Sequence, residues 1–187
     1  MKICNYTFEK FMDIVKFFHG YEAPGMIVGG FMVDYVLKNI PEGELFDAIC
    51  ETSSCLPDAI QLLTPCTIGN GWLRIVNLGR YALTLYDKDN GNGIRGFLDL
   101  SRMDDYSEIK SWYLKLKKKK EQDSNLLLEQ IREAGSTLCS LEPVIVQSQY
   151  MEKRKKGMIA ICPMCKEAYP FKDGDKCRAC MGESPYL

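Results

Sequence analysis

Charge of one sign is missing from this chain. Its 24 Lys/Arg residues nearly balance 25 Asp/Glu, a formal net charge of -1 over 187 residues, which argues against the whole-protein electrostatic footprint of a nucleic-acid binder. A long hydrophobic run is missing too. The longest, Met26 to Leu37, is broken by Gly29, Gly30 and Asp34 and falls well short of the ~20 residues that a membrane span needs. The opening MKICNYTFEK has neither an apolar h-region nor a cleavage-site pattern, so no secretory leader is expected. The nine cysteines are odd in number, and a disulfide framework explains them less well than reduced thiols do. The expectation is a soluble, cytoplasmic protein with no membrane partner. Histidine is almost absent: His19 is the only one. No internal repeat is visible.

What is present begins at the C-terminus. Cys162-Pro-Met-Cys165 and Cys177-Arg-Ala-Cys180 are two CxxC pairs with eleven residues between them. Each pair sets two thiolates on one side of a tight knuckle, and together they supply the four-sulfur tetrahedral shell that Zn²⁺ accepts at about 2.3 Å per bond. Such a shell is closed, so it predicts a structural zinc and no chemistry. The segment has too few residues for a core of its own, which couples its folding to the metal.

An apolar content of 46% supports a core domain in the rest of the chain. The expected division is a core over residues 1–150 and a linker with zinc module over 151–187, the charged stretch MEKRKKG forming the boundary. Thr7 is a candidate N-cap for a helix bearing Phe8, Phe11, Met12, Val15 and Phe18 at helical spacing. Pro24 opens a second helix, apolar almost all round from Gly25 to Lys38, whose Gly29 and Gly30 predict close approach of another backbone. Leu45 to Cys50 reads as a strand and Pro57 to Leu63 as a helix. Strands near Leu73–Val76, Arg80–Tyr86 and Ile94–Leu100 follow, the last two joined by the turn DKDNGNG as a hairpin. Helices near Asp105–Lys119 and Ser124–Cys139 precede a strand at Val144–Gln149. The fold class expected is α+β, a mixed sheet flanked by helices.

Several patterns suggest sites and are weighed against plainer readings. GNGIRG, residues 91–96, matches GxGxxG literally but precedes a β pattern where a dinucleotide fingerprint needs a helix. Asp87-Lys-Asp89 begins like a calcium loop but lacks its later glycine and glutamate. The basic runs Lys117–Lys120 and Lys153–Lys156 read as a solvated helix end and linker as readily as a basic patch. Cys4, Cys50 and Cys139 have no motif around them, and the last two read as small buried hydrophobes. His19, Cys55 and Cys66 stand apart. His19 lies in the loop HGYEAPG between two helices. Cys55 sits near a helix N-terminus after a strand, where amide dipoles depress a thiol pKa. Cys66 lies in the polar turn TPCTIGNG, which suggests loop chemistry rather than packing. Asp58 occupies the place of a resolving cysteine, so a local dithiol is excluded.

The order HG…PG, CLPDAIQLLTPCTIGNGWLRI and LGRYALTLYD followed by a Gly-rich turn resembles the E-subunit family of formylmethanofuran dehydrogenase, over roughly residues 15 to 100. The resemblance implies a thioredoxin-like α+β core, a C-terminal treble-clef zinc finger carried by Cys162, Cys165, Cys177 and Cys180, and a metal-binding cleft built on an HGHxCPG loop and later cysteines. This chain has Tyr21 and Ala23 where that loop has its second histidine and its cysteine, leaving His19, Cys55 and Cys66 by position. A second metal in the core cleft is accordingly expected to be weak or absent. In such a setting the pterin chemistry belongs to other subunits. The first expectation is therefore a zinc-binding accessory or assembly protein, self-associating as a homodimer, with the subunits of a formylmethanofuran- or formate-type dehydrogenase as partners. A thiol- or metal-dependent redox enzyme using Cys55, Cys66 and His19 is the second, and a nucleic-acid-binding zinc-ribbon protein the third.

Overall fold

The computed structural model describes residues 1–40, 45–152 and 157–186. By its internal contacts the chain divides into two compact units, Met1–Met151 and Glu152–Leu187. No helix among the described residues is long and apolar enough to cross a membrane.

The first unit opens with a two-stranded ribbon, β1 (Lys2–Ile3) and β2 (Tyr6–Thr7). Helix α1 (Phe8–His19) follows, and the Thr7 side chain accepts from the Lys10 N–H at its start. Phe11 and Val15 on its inner face are fully buried. Helix α2 (Pro24–Leu37) is the centre of the domain. Every residue from Gly25 to Asp34 is buried, because α1, α3 (Leu56–Leu63) and α5 (Ser124–Ala134) surround it and the sheet lies beneath it. The glycines of α2 make room for side chains, not for another backbone as expected. A Cβ on Gly30 would collide with the Phe11 ring, and one on Gly29 would meet Ala59 Cβ at 3.0 Å and the Tyr81 hydroxyl at 3.1 Å.

The sheet has five strands: β3 (Phe46–Cys50), β4 (Leu73–Ile75), β5 (Ala82–Asp87), β6 (Asn92–Leu98) and β7 (Cys139–Ile145), in the order β4-β3-β5-β6-β7. β3 and β4 are parallel and every other pairing is antiparallel. The sheet is mixed and the hairpin β5–β6 is present, as the turn chemistry implied.

On the sheet face turned away from α2, Ile49, Thr84, Arg95 and Glu142 stand in one row across four strands. Arg95 donates from Nε and Nη2 to the two carboxylate oxygens of Glu51, at 2.6 and 2.9 Å, and from Nη1 to Glu142 at 2.8 Å. Arg80 adds a contact to Glu51 at 2.7 Å. Burial works to raise the Glu51 carboxyl, but the Arg95 hydrogen bonds and the charges of Arg95 and Arg80 outweigh it and hold the pKa below its ordinary value.

Three boundaries differ from the sequence reading. α4 covers only Ser107–Tyr113, because Lys115 turns into the left-handed region at φ 58 and a crowd of lysines follows. α5 ends where Gly135 takes φ 54 and a 3-10 turn begins. β7 therefore starts at Cys139, earlier than expected, and Cys139 is a buried strand residue rather than a helix end. A last short helix, α6, covers Ser148–Met151.

The second unit is a hairpin, β8 (Ile159–Ile161) with β9 (Ala168–Pro170), followed by two short 3-10 turns. The Tyr169 hydroxyl donates to Gly174 O at 2.8 Å and ties the first of these turns to β9. Lys153–Lys156 of the basic linker lies outside the described residues.

Candidate functional sites

The knuckle after β8 carries Cys162 and Cys165. Cys162 N–H donates to Glu167 O at 2.8 Å and Lys166 N–H to Cys162 O at 3.0 Å, which folds the turn back on itself and directs its two thiols to one side. Cys177 and Cys180 flank the second knuckle. One ligand atom from each of the four lies within 4.8 Å of the others, and this is the one group of three or more such residues among those described. A tetrahedral shell with bonds of about 2.3 Å has sulfur–sulfur edges of about 3.8 Å; Cys165 Sγ and Cys177 Sγ stand 3.6 Å apart. The Cys177 amide points at Cys162 Sγ and, with the amides of Cys165 and Met164, pulls that thiol down to about 6, whereas the hydrogen bond to Cys177 and the other crowded sulfurs push Cys180 up to about 12. A thiolate is the form a zinc ligand takes, and the donor set of four sulfurs fits zinc closely.

The core cleft lies where α1, α2 and α3 meet. His19, the last residue of α1, makes a 2.8 Å hydrogen bond through Nδ1 to Asp58 Oδ2 on α3. That bond fixes the ring and leaves Nε2 for another partner. Cys55 is the residue before α3, with φ 51 and ψ -46, a positive-φ conformation that costs a non-glycine residue energy. Its sulfur lies against the start of α2: a Cβ on Gly25 would stand 3.0 Å from both Cβ and Sγ of Cys55. The half-buried Tyr81 donates through its hydroxyl to Gly25 O and holds this junction from the sheet side. Tyr21 leans over His19 with ring centroids 5.2 Å apart, and Ala23 is sealed in the core at 1% exposure.

The three residues singled out by sequence are not gathered into one place. His19 and Cys55 share the N-terminal end of α3 through Asp58, whose N–H donates to Cys55 O at 3.1 Å. Cys66 lies beyond the other end of that helix, whose eight residues span about 12 Å. Its Sγ donates to Phe46 O at 3.6 Å, at the opposite end of β3 from the residue that leads to Cys55. Cys66 is fully buried, so it packs in the core and does not serve loop chemistry. Burial pushes its thiol up to about 11 against the Thr64 hydrogen bond. Cys55 is likewise raised, by burial first and then by the Asp58 carboxylate, with Lys115 opposing. The helix dipole alone predicts a depressed thiol; the acid in the first turn of α3 and the loss of water both work against it.

Tyr81, bonded to Gly25 O, and Lys115, whose charge acts on the Cys55 thiol, also bear on this site and have no sequence signal that marks them. Tyr81 sits in a plain strand pattern, and Lys115 lies in a helical pattern that in the structure ends before it. Asp58 stands out in sequence only as the residue replacing a second cysteine, and its bond to His19 has no local signal.

Residues 18–147 match the family model described as FmdE, molybdenum formylmethanofuran dehydrogenase operon. The chain belongs to the FmdE family. Residues 153–187 match the FmdE treble clef zinc finger, which places the four tail cysteines in a structural zinc module. A crystal structure of a tungsten formylmethanofuran dehydrogenase FmdE-like protein from Syntrophus aciditrophicus matches 100% of this chain and 98% of that one, at 50% identity and a TM-score of 0.93. A relative from Archaeoglobus fulgidus, named as a probable S-adenosyl-L-methionine-binding protein, is 26% identical over 89% of this chain. The chain spans about half the length of that curated relative, 51% of it.

Proposed function

We propose that this FmdE-family chain is a zinc-binding accessory or assembly component of a formylmethanofuran- or formate-type one-carbon oxidoreductase, acting as a homodimer, whose own core cleft does not serve as a metal centre. One observation carries this reading. Among the described residues the tail cysteines alone bring three or more ligand groups together, whereas the core cleft offers Cys55 and the second nitrogen of an imidazole already bonded to Asp58. A catalytic zinc with an open position takes three protein ligands, and Tyr21 and Ala23 supply none.

The alternative of an independent thiol- or metal-dependent redox enzyme has less support. Cys55 and Cys66 lie at opposite ends of α3, and both thiols are raised by burial. A nucleic-acid role has less still, since the 24 Lys/Arg of the chain are matched by 25 Asp/Glu.

Affinity purification of the tagged chain from its native cells tests the reading. Stoichiometric recovery of molybdenum- or tungsten-containing oxidoreductase subunits is expected. Recovery of the chain alone, with an oxidoreductase activity of its own that is lost on Cys55→Ser, would overturn it.

A further inference from the structure

The five-stranded sheet is covered unequally. α2 and the helices around it lie on one face, and the other face carries the row Ile49, Thr84, Arg95 and Glu142. A groove of about 430 Å³ opens over that row. Leu78 and Arg80, from the connection between β4 and β5, line it at one border, and Ile145, at the end of β7, lines it at the other. Leu78 is 55% exposed and Ile145 is 76% exposed, so both borders leave a large apolar side chain in water.

The charges on this face are ordered as well. One chain of contacts, Arg80–Glu51–Arg95–Glu142, crosses the sheet from β3 to β7. Its inner members, Glu51 and Arg95, are largely buried, whereas the side chains at its ends are open, Arg80 at 59% and Glu142 at 49% exposure. Two arginines against two glutamates leave the groove without net charge, with a cation at one border and an anion at the other. Neighbouring strands lie about 4.8 Å apart, so two to three strand spacings set these ends on the order of 10–14 Å from each other.

A partner of one charge sign gains no net attraction from a neutral face. A second copy does. A two-fold axis running along the strands, midway between two such faces, exchanges the borders, so that each cation meets an anion and each Leu78 meets an Ile145. Such a patch is self-complementary, which is what an isologous contact requires. The net charge of -1 per chain leaves little repulsion between copies to overcome.

We propose that two copies of this chain meet through the groove face of the sheet, Arg80 of each pairing with the partner's Glu142 and Leu78 of each packing on the partner's Ile145. The proposal rests on the reading that the chain acts as a homodimer, and it assigns the face that makes the dimer.

Sedimentation equilibrium of the full zinc-loaded chain tests it, with melting temperature as the control for folding. The parent chain should be a dimer. Arg80→Glu and Glu142→Arg each bring like charges together across the contact and should weaken the dimer by about a hundredfold. An equimolar mixture of these two variants restores both pairs, and so does the double variant; each should associate again. Ile145→Asp changes a side chain that is already in water, so it should weaken the dimer while the chain stays folded. A parent chain that is monomeric at every concentration refutes the homodimer reading and this proposal with it. A dimer that survives Ile145→Asp and both charge reversals refutes the assigned face and leaves the homodimer standing. Folded single variants that fail to associate when mixed refute the pairing of Arg80 with Glu142.

Discussion

Replacing Arg95 by methionine should destabilise the core domain by about 2–3 kcal/mol at neutral pH. The magnitude follows from what Glu51 would keep. Its residue is 6% exposed, and Arg95 supplies two of the contacts to its carboxylate, at 2.6 and 2.9 Å. Breaking a buried pair by removing one partner costs roughly 3–5 kcal/mol because a charge is left without compensation. Arg80 still reaches Oε2 at 2.7 Å; its side chain is 59% exposed, so it replaces part of the lost field and brings the expectation below that range, to about 2–3 kcal/mol. The pH dependence has a definite sign. Glu51 is depressed in the folded parent chain, so its contribution is present above the ordinary carboxylate range and is lost as pH falls through the folded value. In the variant the depression is gone, and the gap between the two proteins should narrow on acidification. Urea denaturation of zinc-loaded protein at neutral and mildly acid pH measures both. Pairing the change with Glu51→Gln should recover most of the loss, since no uncompensated charge remains. A loss under about 1 kcal/mol, or one that grows as pH falls, would refute the account of this face.

Two further outcomes follow from the same reasoning. At pH 7 both Cys55 and Cys66 should alkylate more slowly than a free thiol, Cys66 the slower because it is fully buried and raised to about 11; peptide mapping after brief labelling decides, and a faster Cys55 would restore the low-pKa nucleophile. Tyr81→Phe should cost about 1–3 kcal/mol by removing the donor to Gly25 O, and it should speed Cys55 labelling as the start of α2 loosens; unchanged stability would show that this hydroxyl does not hold the junction.

The sequence is most legible where local chemistry decides. Thr7 and Pro24 mark helix starts, the Asn-Gly turn marks the β5–β6 hairpin, and the CxxC pairs mark the zinc module. Boundaries fail where a non-glycine residue enters the left-handed region, as Lys115 does, or where a glycine mid-pattern begins a 3-10 turn, as Gly135 does. Neither is a propensity signal. The candidate cleft is legible in its members but not in its grouping. Cys55 and Cys66 are near neighbours in sequence, yet a two-turn helix separates them, while His19 and Asp58 are far apart in sequence and bonded. The thiol pKa values escape a sequence reading because burial and a first-turn carboxylate outweigh a helix dipole, and both belong to the tertiary structure.

Metal content per chain tests the central claim most directly. Protein purified under reducing conditions should carry one zinc, and Cys162→Ser with Cys177→Ser should carry none while the core domain stays folded. A second equivalent in the parent chain that disappears on Cys55→Ser would contradict the claim that the zinc of this protein belongs to its tail alone.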